Sequence, residues 1–448
     1  MRIIRSDKLK IHCAGRDDRD ALDATLQLYR HYVRDLMVLI NARWDRLAAC
    51  QGTGQIQRSV EALIHPTAKR PAVSTRYFHR RYYKFPSYLR RVAIMDAFGQ
   101  VRSFQTRFNR WLDGDRRSDT CKPPRLACAT NTFPSLYHGQ CLKFAGDDRS
   151  VQIKVYSGGD WVWRRYTLSG DQRFIARGRR RSSLLVQDRG RFLLSVPVEI
   201  EVPLRAKEDQ TGRVLSVDVG INTAATTAVV DASGTVLDRK FFHRSDKDQE
   251  HRLMAAIRAA AKVATRHGNP LYAGFCATRY RKLKNLMRNA AHQISRRIID
   301  TATSWDCDAV IVEHLKGWRP KGGKKRSALK ARFHRWFHRL LVQLIQSKAQ
   351  EAGLRFRTVY ARGTSHYAYD GSGKVQRDKS NYALATFSNG KRYNADLNAA
   401  YNIAARGILL LYHGGSGDRA SGVVGQKSRG TQRSPVTLSS LWAMAHAG

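Results

Sequence analysis

No two of the seven cysteines stand in a CxxC pair; they are Cys13, Cys50, Cys121, Cys128, Cys141, Cys276 and Cys307. That spacing shows neither a zinc ribbon nor a disulfide framework, and an odd, scattered set suits a reducing cytosol. No apolar run is long enough to span a bilayer. The start, Met1-Arg-Ile-Ile-Arg5, lacks the apolar region of a signal peptide. A membrane role is not expected; a prokaryotic cytoplasmic protein, associated with the nucleoid when on DNA, is. Acid is scarce too: 36 Asp+Glu against 80 Lys+Arg give a formal charge of +44 and a pI near 10.7. Such an excess repels itself unless a polyanion neutralises it, which points to nucleic acid as partner.

What is present is enough for globular packing: 42% of the 448 residues are hydrophobic, and a chain of this length implies two or more domains. Residues 1–15 alternate apolar and basic residues and read as a strand. From Asp17 to about Cys50, Leu22, Leu26, Tyr29, Val33, Leu36 and Ile40 recur at helical spacing. A second helix follows Pro86, its apolar face running from Leu89 to Trp111. Between them, Tyr77-Phe-His-Arg-Arg-Tyr-Tyr-Lys-Phe85 interleaves rings and cations. Bases stack on rings while cations hold phosphates, so Tyr77, Arg80, Arg81, Tyr82, Lys84, Arg90 and Arg91 are candidate nucleic-acid contacts. An amphipathic helix start with buried rings and snorkelling cations has the same pattern.

From about 130 to 205 strands alternate around turn signals such as Gly158-Gly159, with a basic loop at Ile175-Ala-Arg-Gly-Arg-Arg-Arg181. A small antiparallel barrel packed with the N-terminal strand is the economical fold. At Arg213 the style changes. Val214-Leu-Ser-Val-Asp218, Ala225-Thr-Thr-Ala-Val-Val230 and Val236-Leu-Asp-Arg-Lys-Phe-Phe242 form three successive strands, the meander of a ribonuclease-H-like α/β domain. Helices over 246–267 and 277–305 follow; Arg279, Lys282 and Arg296 of the second are further candidate backbone contacts. A basic loop, Trp318 to Arg326, precedes a helix marked by Phe333, Trp336, Phe337, Leu340, Leu341, Leu344 and Ile345. Leu354 to Tyr360 reads as a strand and Asp396 to Leu411 as a helix. The Gly-, Ser- and Arg-rich tail after His413 is expected to lack order.

Three acids stand at the ends of these elements: Asp218 closing a strand, Glu313 closing Ala309-Val-Ile-Val312, and Asp396 in Asn394-Ala-Asp396-Leu-Asn398-Ala-Ala400. Alone, each is an ordinary strand-end or helix-capping carboxylate. As an ordered set they point to a two-metal phosphodiester nuclease. Hard oxygen ligands suit Mg²⁺, with Mn²⁺ able to substitute. Asp218 is assigned to bridge two ions, Glu313 to hold one and Asp396 to complete the set. His314 beside Glu313 is not counted.

These motifs resemble the RuvC-like nuclease of TnpB proteins, transposon-encoded relatives of compact type V CRISPR effectors. The matching pieces are Val217-Asp218-Val-Gly220-Ile-Asn222, Val312-Glu313-His-Leu315 and Asn394-Ala-Asp396-Leu-Asn398-Ala-Ala400-Tyr-Asn402-Ile403. The resemblance covers roughly 210–410 and extends to Phe85-Pro-Ser-Tyr-Leu-Arg-Arg91. It implies an RNA-guided endonuclease that cuts double-stranded target DNA, both strands in turn, next to a short adjacent motif. One protein per guide RNA is expected, with a dimer left open. It also implies a wedge barrel (1–16 and 126–208), an inserted helical recognition domain (17–125), a split nuclease (209–363 and 393–412) and a strand-loading insert (364–392). Relatives carry a four-cysteine zinc ribbon in that insert. Here it has no cysteine, so no zinc is expected. A guided binder that does not cut is the alternative; an unguided nuclease would leave the first half of the chain without purpose.

Overall fold

The computed structural model describes residues 1–114, 122–269, 271–272, 274–314, 338–378, 380–412, 423–424 and 434–446. The basic loop expected over 318–326, and Leu315, Phe333, Trp336 and Phe337, lie outside the described residues. The chain divides into two compact units, Arg2–Glu201 and Val202–Gly448, the latter with Met1.

The first unit joins a barrel-like sheet to a set of helices. Strand β1 (Arg2–His12) leads into α1 (Arg16–Ala42), α2 (Trp44–Ala48), α3 (Gly52–Ile64), α4 (Arg76–Arg81) and α5 (Ser87–Leu112). The sheet is completed by β2 (Ser135–Leu136), β3 (Leu142–Phe144), β4 (Ser150–Ser157), β5 (Asp160–Ser169), β6 (Arg179–Arg180), β7 (Ser183–Asp188) and β8 (Arg191–Glu201). Its order is β2-β7-β8-β1-β5-β4-β3, with β6 on β8. The edge strands β2 and β3 meet through one tight turn, where Gly139 N–H donates to Leu142 O at 2.8 Å. The ring is thus nearly closed. Alternation decides which side chains enter it: Ile3, Leu9 and Ile11 of β1 are buried and lie beside Ile200, Leu194 and Leu168. Tyr29 Oη donates to Asp96 at 2.6 Å and joins α1 to α5, and Tyr156 N–H of β4 donates to Thr25 Oγ1 of α1 at 2.8 Å and joins sheet to helix. Helix α3, within the helical region expected over 17–125, opens at Gly52-Thr-Gly54 and is carried by its buried Ile56, Val60 and Ile64, four residues apart.

The second unit is built on a five-stranded mixed sheet. It contains β9 (Val214–Asp218), β10 (Ala225–Val230), β11 (Val236–Phe242), α6 (Lys247–Arg266), α7 (Ala277–Ser304), β12 (Ala309–His314), α8 (His338–Glu351) and β13 (Arg355–Tyr360). The strand order is β11-β10-β9-β12-β13. The first three strands are an antiparallel meander, and β12 lies parallel to both β9 and β13. Then come β14 (Gln376–Arg377), β15 (Leu384–Thr386), β16 (Arg392–Asn394) and α9 (Ala395–Tyr412), and in the tail β17 (Val423–Val424), β18 (Ser434–Pro435) and α10 (Leu438–Ala445).

Both faces of the sheet are covered, which is why β9, β10 and β12 read as unbroken apolar runs. Leu215, Val217, Val310 and Val312 pack against α7 and α8. Val214, Ala309 and Ile311 pack against α9 and against Leu438 and Leu441 of α10. The order of α10 corrects the expected loose tail. Val436, Leu438 and Leu441 are buried, and Thr437 caps the helix in a reciprocal box with Ser440. No helix among the described residues is long and apolar enough to cross a membrane.

Candidate active site

Side chains alternate between faces along a strand. Val214 lies on the α9 face, so Asp218, four residues on, shares it; Ile311 lies there too, so Glu313 does as well. The register pairs Val217 with Val312, which sets Asp218 and Glu313 side by side at the ends of neighbouring parallel strands. Helix α9 crosses the same face, and its first turn carries Asp396. Capping of that helix falls to Asn394, whose Oδ1 accepts from Asp396 N–H and Leu397 N–H at 3.0 Å. The ordinary reason for an acid in a first turn is therefore met by another residue.

The electrostatics follow from this placement. Burial, and then the charges of Glu313 and Asp396, hold the Asp218 carboxyl well above the usual range. Burial also raises Glu313 and Asp396. One cation opposes this at all three acids: Arg377 of β14. Its Nη1 donates to Tyr382 O at 3.1 Å. Sequence patterning missed Arg377, because a two-residue strand leaves no periodic signal. Three half-buried carboxylates that repel one another and offer only hard oxygen fit Mg²⁺ chemically. Among the described residues, no three His, Cys, Asp or Glu side chains stand close enough together to hold a metal ion as they are placed. Instead Glu313 accepts a hydrogen bond from Thr364 Oγ1.

The cysteine-free insert folds around apolar side chains. β14, β15 and β16 form a small antiparallel sheet, with Ala368, Val375, Ala385, Phe387 and Ala395 buried against Tyr369 and Tyr393. A zinc-specific chelator should therefore leave amide exchange across 364–392 unchanged; loss of protection there would show that a metal holds it.

The proposed nucleic-acid contacts divide. Tyr82 and Arg90 are corrected: both are structural. Tyr82 is 6% exposed, its ring 4.6 Å from Tyr32 and its hydroxyl donating to Asp35 at 2.6 Å. Arg90 is 9% exposed and pairs with Glu61 at 3.2 Å. Acids distant in sequence claim them, which local patterning cannot show. Tyr77 also donates to Asp35, Arg81 lies over the Tyr77 and Tyr82 rings, and Lys84 pairs with Asp160 at 3.2 Å. Tyr77, Arg80, Arg81, Lys84 and Arg91 remain exposed, as do Arg279, Lys282 and Arg296 along α7.

Residues 5–157 match the model of the Aq_aa04 family, and residues 195–319 match OrfB_IS605, described as "Probable transposase". The second match takes in Asp218 and Glu313. No curated protein matches the chain. Among solved structures, a Cas12f1–sgRNA–target DNA complex aligns with a TM-score of 0.53 and 13% identity, over 86% of this chain and 81% of that one. C2c1 from Alicyclobacillus acidoterrestris with single-guide RNA aligns at 0.38 and 12%, over 86% and 69%. CasPhi-2 (Cas12j) bound to crRNA and DNA aligns at 0.40 and 10%, over 91% of each chain. Residues 195–319, which hold the first two of the three motifs, thus match the OrfB_IS605 model, and the chain shares the fold of the Cas12f1 structure.

Proposed function

We propose that the protein is an RNA-guided DNA endonuclease that hydrolyses phosphodiester bonds at Asp218, Glu313 and Asp396. The observation that carries this is the convergence of the three acids, from β9, β12 and α9, on one face of a ribonuclease-H-like sheet. The solved relative of like fold is a complex with guide RNA and target DNA, and a net charge of +44 suits that cargo.

Asp218, Glu313 and Asp396 would hold the two Mg²⁺ ions that such hydrolysis uses. When bound, such ions supply a hydroxide nucleophile and stabilise the leaving oxygen. The chain's own part is to orient. Ionised Asp218 and Glu313 offer oxygens from adjacent strand ends, and Asp396 does so from a helix start fixed by Asn394. Arg377 offsets the repulsion among the acids and offers a cation to the anionic strand. The exposed basic stripe of α7 supports backbone contact without reading sequence. Sequence would be read by pairing with the guide, and only a short adjacent motif by the protein.

The test is what the purified protein carries. A discrete, structured RNA should copurify at low salt, and its affinity should fall by roughly 10³-fold or more between 50 and 200 mM salt. Protein that purifies free of nucleic acid and binds no structured RNA would contradict the proposal.

A further inference from the structure

We propose that Thr364 is a positioning residue that sets the orientation of Glu313, and that a buried polar ladder on α9 holds Thr364 there. The inference rests on the nuclease reading and adds to it the part of the fold that steadies one of its acids.

Thr364 is 1% exposed and directs its single hydroxyl proton at two acceptors, Glu313 Oε1 and Ala361 O, the second at 2.9 Å. A carboxylate oxygen is the stronger acceptor, so ionised Glu313 takes the bond and loses rotamer freedom. Thr364 stands on the segment that runs from the end of β13 to the insert. That segment has little regular structure of its own.

What fixes it is a stripe on α9. Asn398, Asn402 and Arg406, each four residues from the next, are 0%, 0% and 2% exposed, and residues so spaced line one side of a helix. Each donates to the backbone of this segment, although Arg406 Nε is buried without a partner. Arg406 Nη1 donates to Tyr360 O and to Arg362 O, the latter at 3.2 Å. Asn402 Nδ2 donates to Thr364 O and Tyr367 O, both at 2.9 Å. Asn398 Nδ2 donates to Tyr367 O at 2.9 Å, while its Oδ1 accepts from Tyr369 N–H at 2.7 Å. Gly363 closes the turn at φ +90°, where a Cβ would press on the Tyr367 ring at 3.3 Å. Buried polar groups that lose partners are costly, so the ladder allows this segment one path. It grips the main chain of Thr364 itself and leaves the hydroxyl for Glu313. The same helix therefore places Asp396 directly and Glu313 through Thr364.

The test compares Thr364→Val, which keeps the shape and removes the hydroxyl, with Thr364→Ser, which keeps the hydroxyl. Mn²⁺ binding to the full chain is measured by calorimetry with the metal alone, and guided cleavage is measured as kcat and KM. Loss of a group that orients a metal ligand costs about 10–100-fold in affinity or activity. Thr364→Val should weaken Mn²⁺ binding and lower kcat by that factor, with KM for target DNA unchanged; Thr364→Ser should stay within about threefold of the parent. If Thr364→Val does not fold, Asn402→Ser should show the same split between kcat and KM. A Thr364→Val protein that binds Mn²⁺ and cuts like the parent, while Asp218→Ala is inactive, overturns the positioning role and leaves the nuclease reading standing. A parent protein that binds no Mn²⁺ and cuts nothing overturns the nuclease reading, and this inference with it.

Discussion

Replacing Asp218 by Asn should remove target cleavage, by roughly a thousandfold or more, and at the same time raise the melting temperature of the metal-free protein. The two effects share one cause. Burial, then the charges of Glu313 and Asp396, push the Asp218 carboxyl well above its ordinary range. The folded chain therefore holds a proton more tightly than the unfolded one. A raised carboxyl contributes stability that is fully present below its ordinary value near pH 4 and is lost as pH rises through the raised value. At neutral pH, without divalent ions, the ionised side chain is thus a liability that Asn lacks. A gain of roughly 2–5 °C is expected, vanishing near pH 4. Saturating Mg²⁺ should shrink or reverse it, because the parent gains stability from ions it binds only when folded. Thermal unfolding at pH 4 and pH 7.5, with and without Mg²⁺, checks the signs. A variant less stable than the parent in all four conditions would mean that the acids do not converge.

Gly407→Val should be a strongly damaging single change where α9 meets the five-stranded sheet. Gly407 lies on α9, where a Cβ would come within 2.6, 2.8 and 3.0 Å of Ile311 side-chain carbons. Ile311 is fully buried on β12, two residues before Glu313 and on the same face. Neither helix nor central strand has room to yield, so overpacking should cost about 2–3 kcal/mol, roughly 5–10 °C in a unit of this size. Cleavage should fall as well, since displacing Ile311 displaces Glu313. Adding Ile311→Ala should restore part of both losses, a coupling that a double-mutant cycle measures directly. Equal melting temperatures for Gly407→Val and the parent would show that α9 does not lie on β12 in this way. Gly407→Ala should be milder, because helix propensity returns up to about 1 kcal/mol.

How much of this was legible beforehand follows from where the signal lies. The strands of the five-stranded sheet are readable because burial on both faces demands unbroken apolar runs, and Asp218 and Glu313 are readable because they end those runs. Asp396 was readable only within its motif, since its neighbour Asn394 does the capping. The barrel strands showed themselves by alternation. Four things stayed hidden. Strands β14, β15 and β16 hold two or three residues each, too few for any period, so Arg377 had no element to belong to. Thr364, Asn402 and Arg406 matter through partners dozens of residues away, which spacing along the chain cannot supply. Tyr82 and Arg90 look like nucleic-acid contacts until Asp35 and Glu61, acids of other helices, are seen to take them. Helix α10 was masked by the Gly- and Arg-rich composition around it, although Leu438 and Leu441 carry its apolar face.

If Asp218, Glu313 and Asp396 cut what a bound RNA selects, changing the RNA must move the cut. The measurement closest to this is retargeting. Protein loaded with its copurifying RNA, or with that RNA rewritten at the segment that pairs with target, is given plasmids matching one guide or the other in Mg²⁺. The cut should follow the guide, Asp218→Ala should abolish it with both guides, and DNA binding should survive that change. Cleavage that ignores the guide, or that persists in Asp218→Ala, would contradict it.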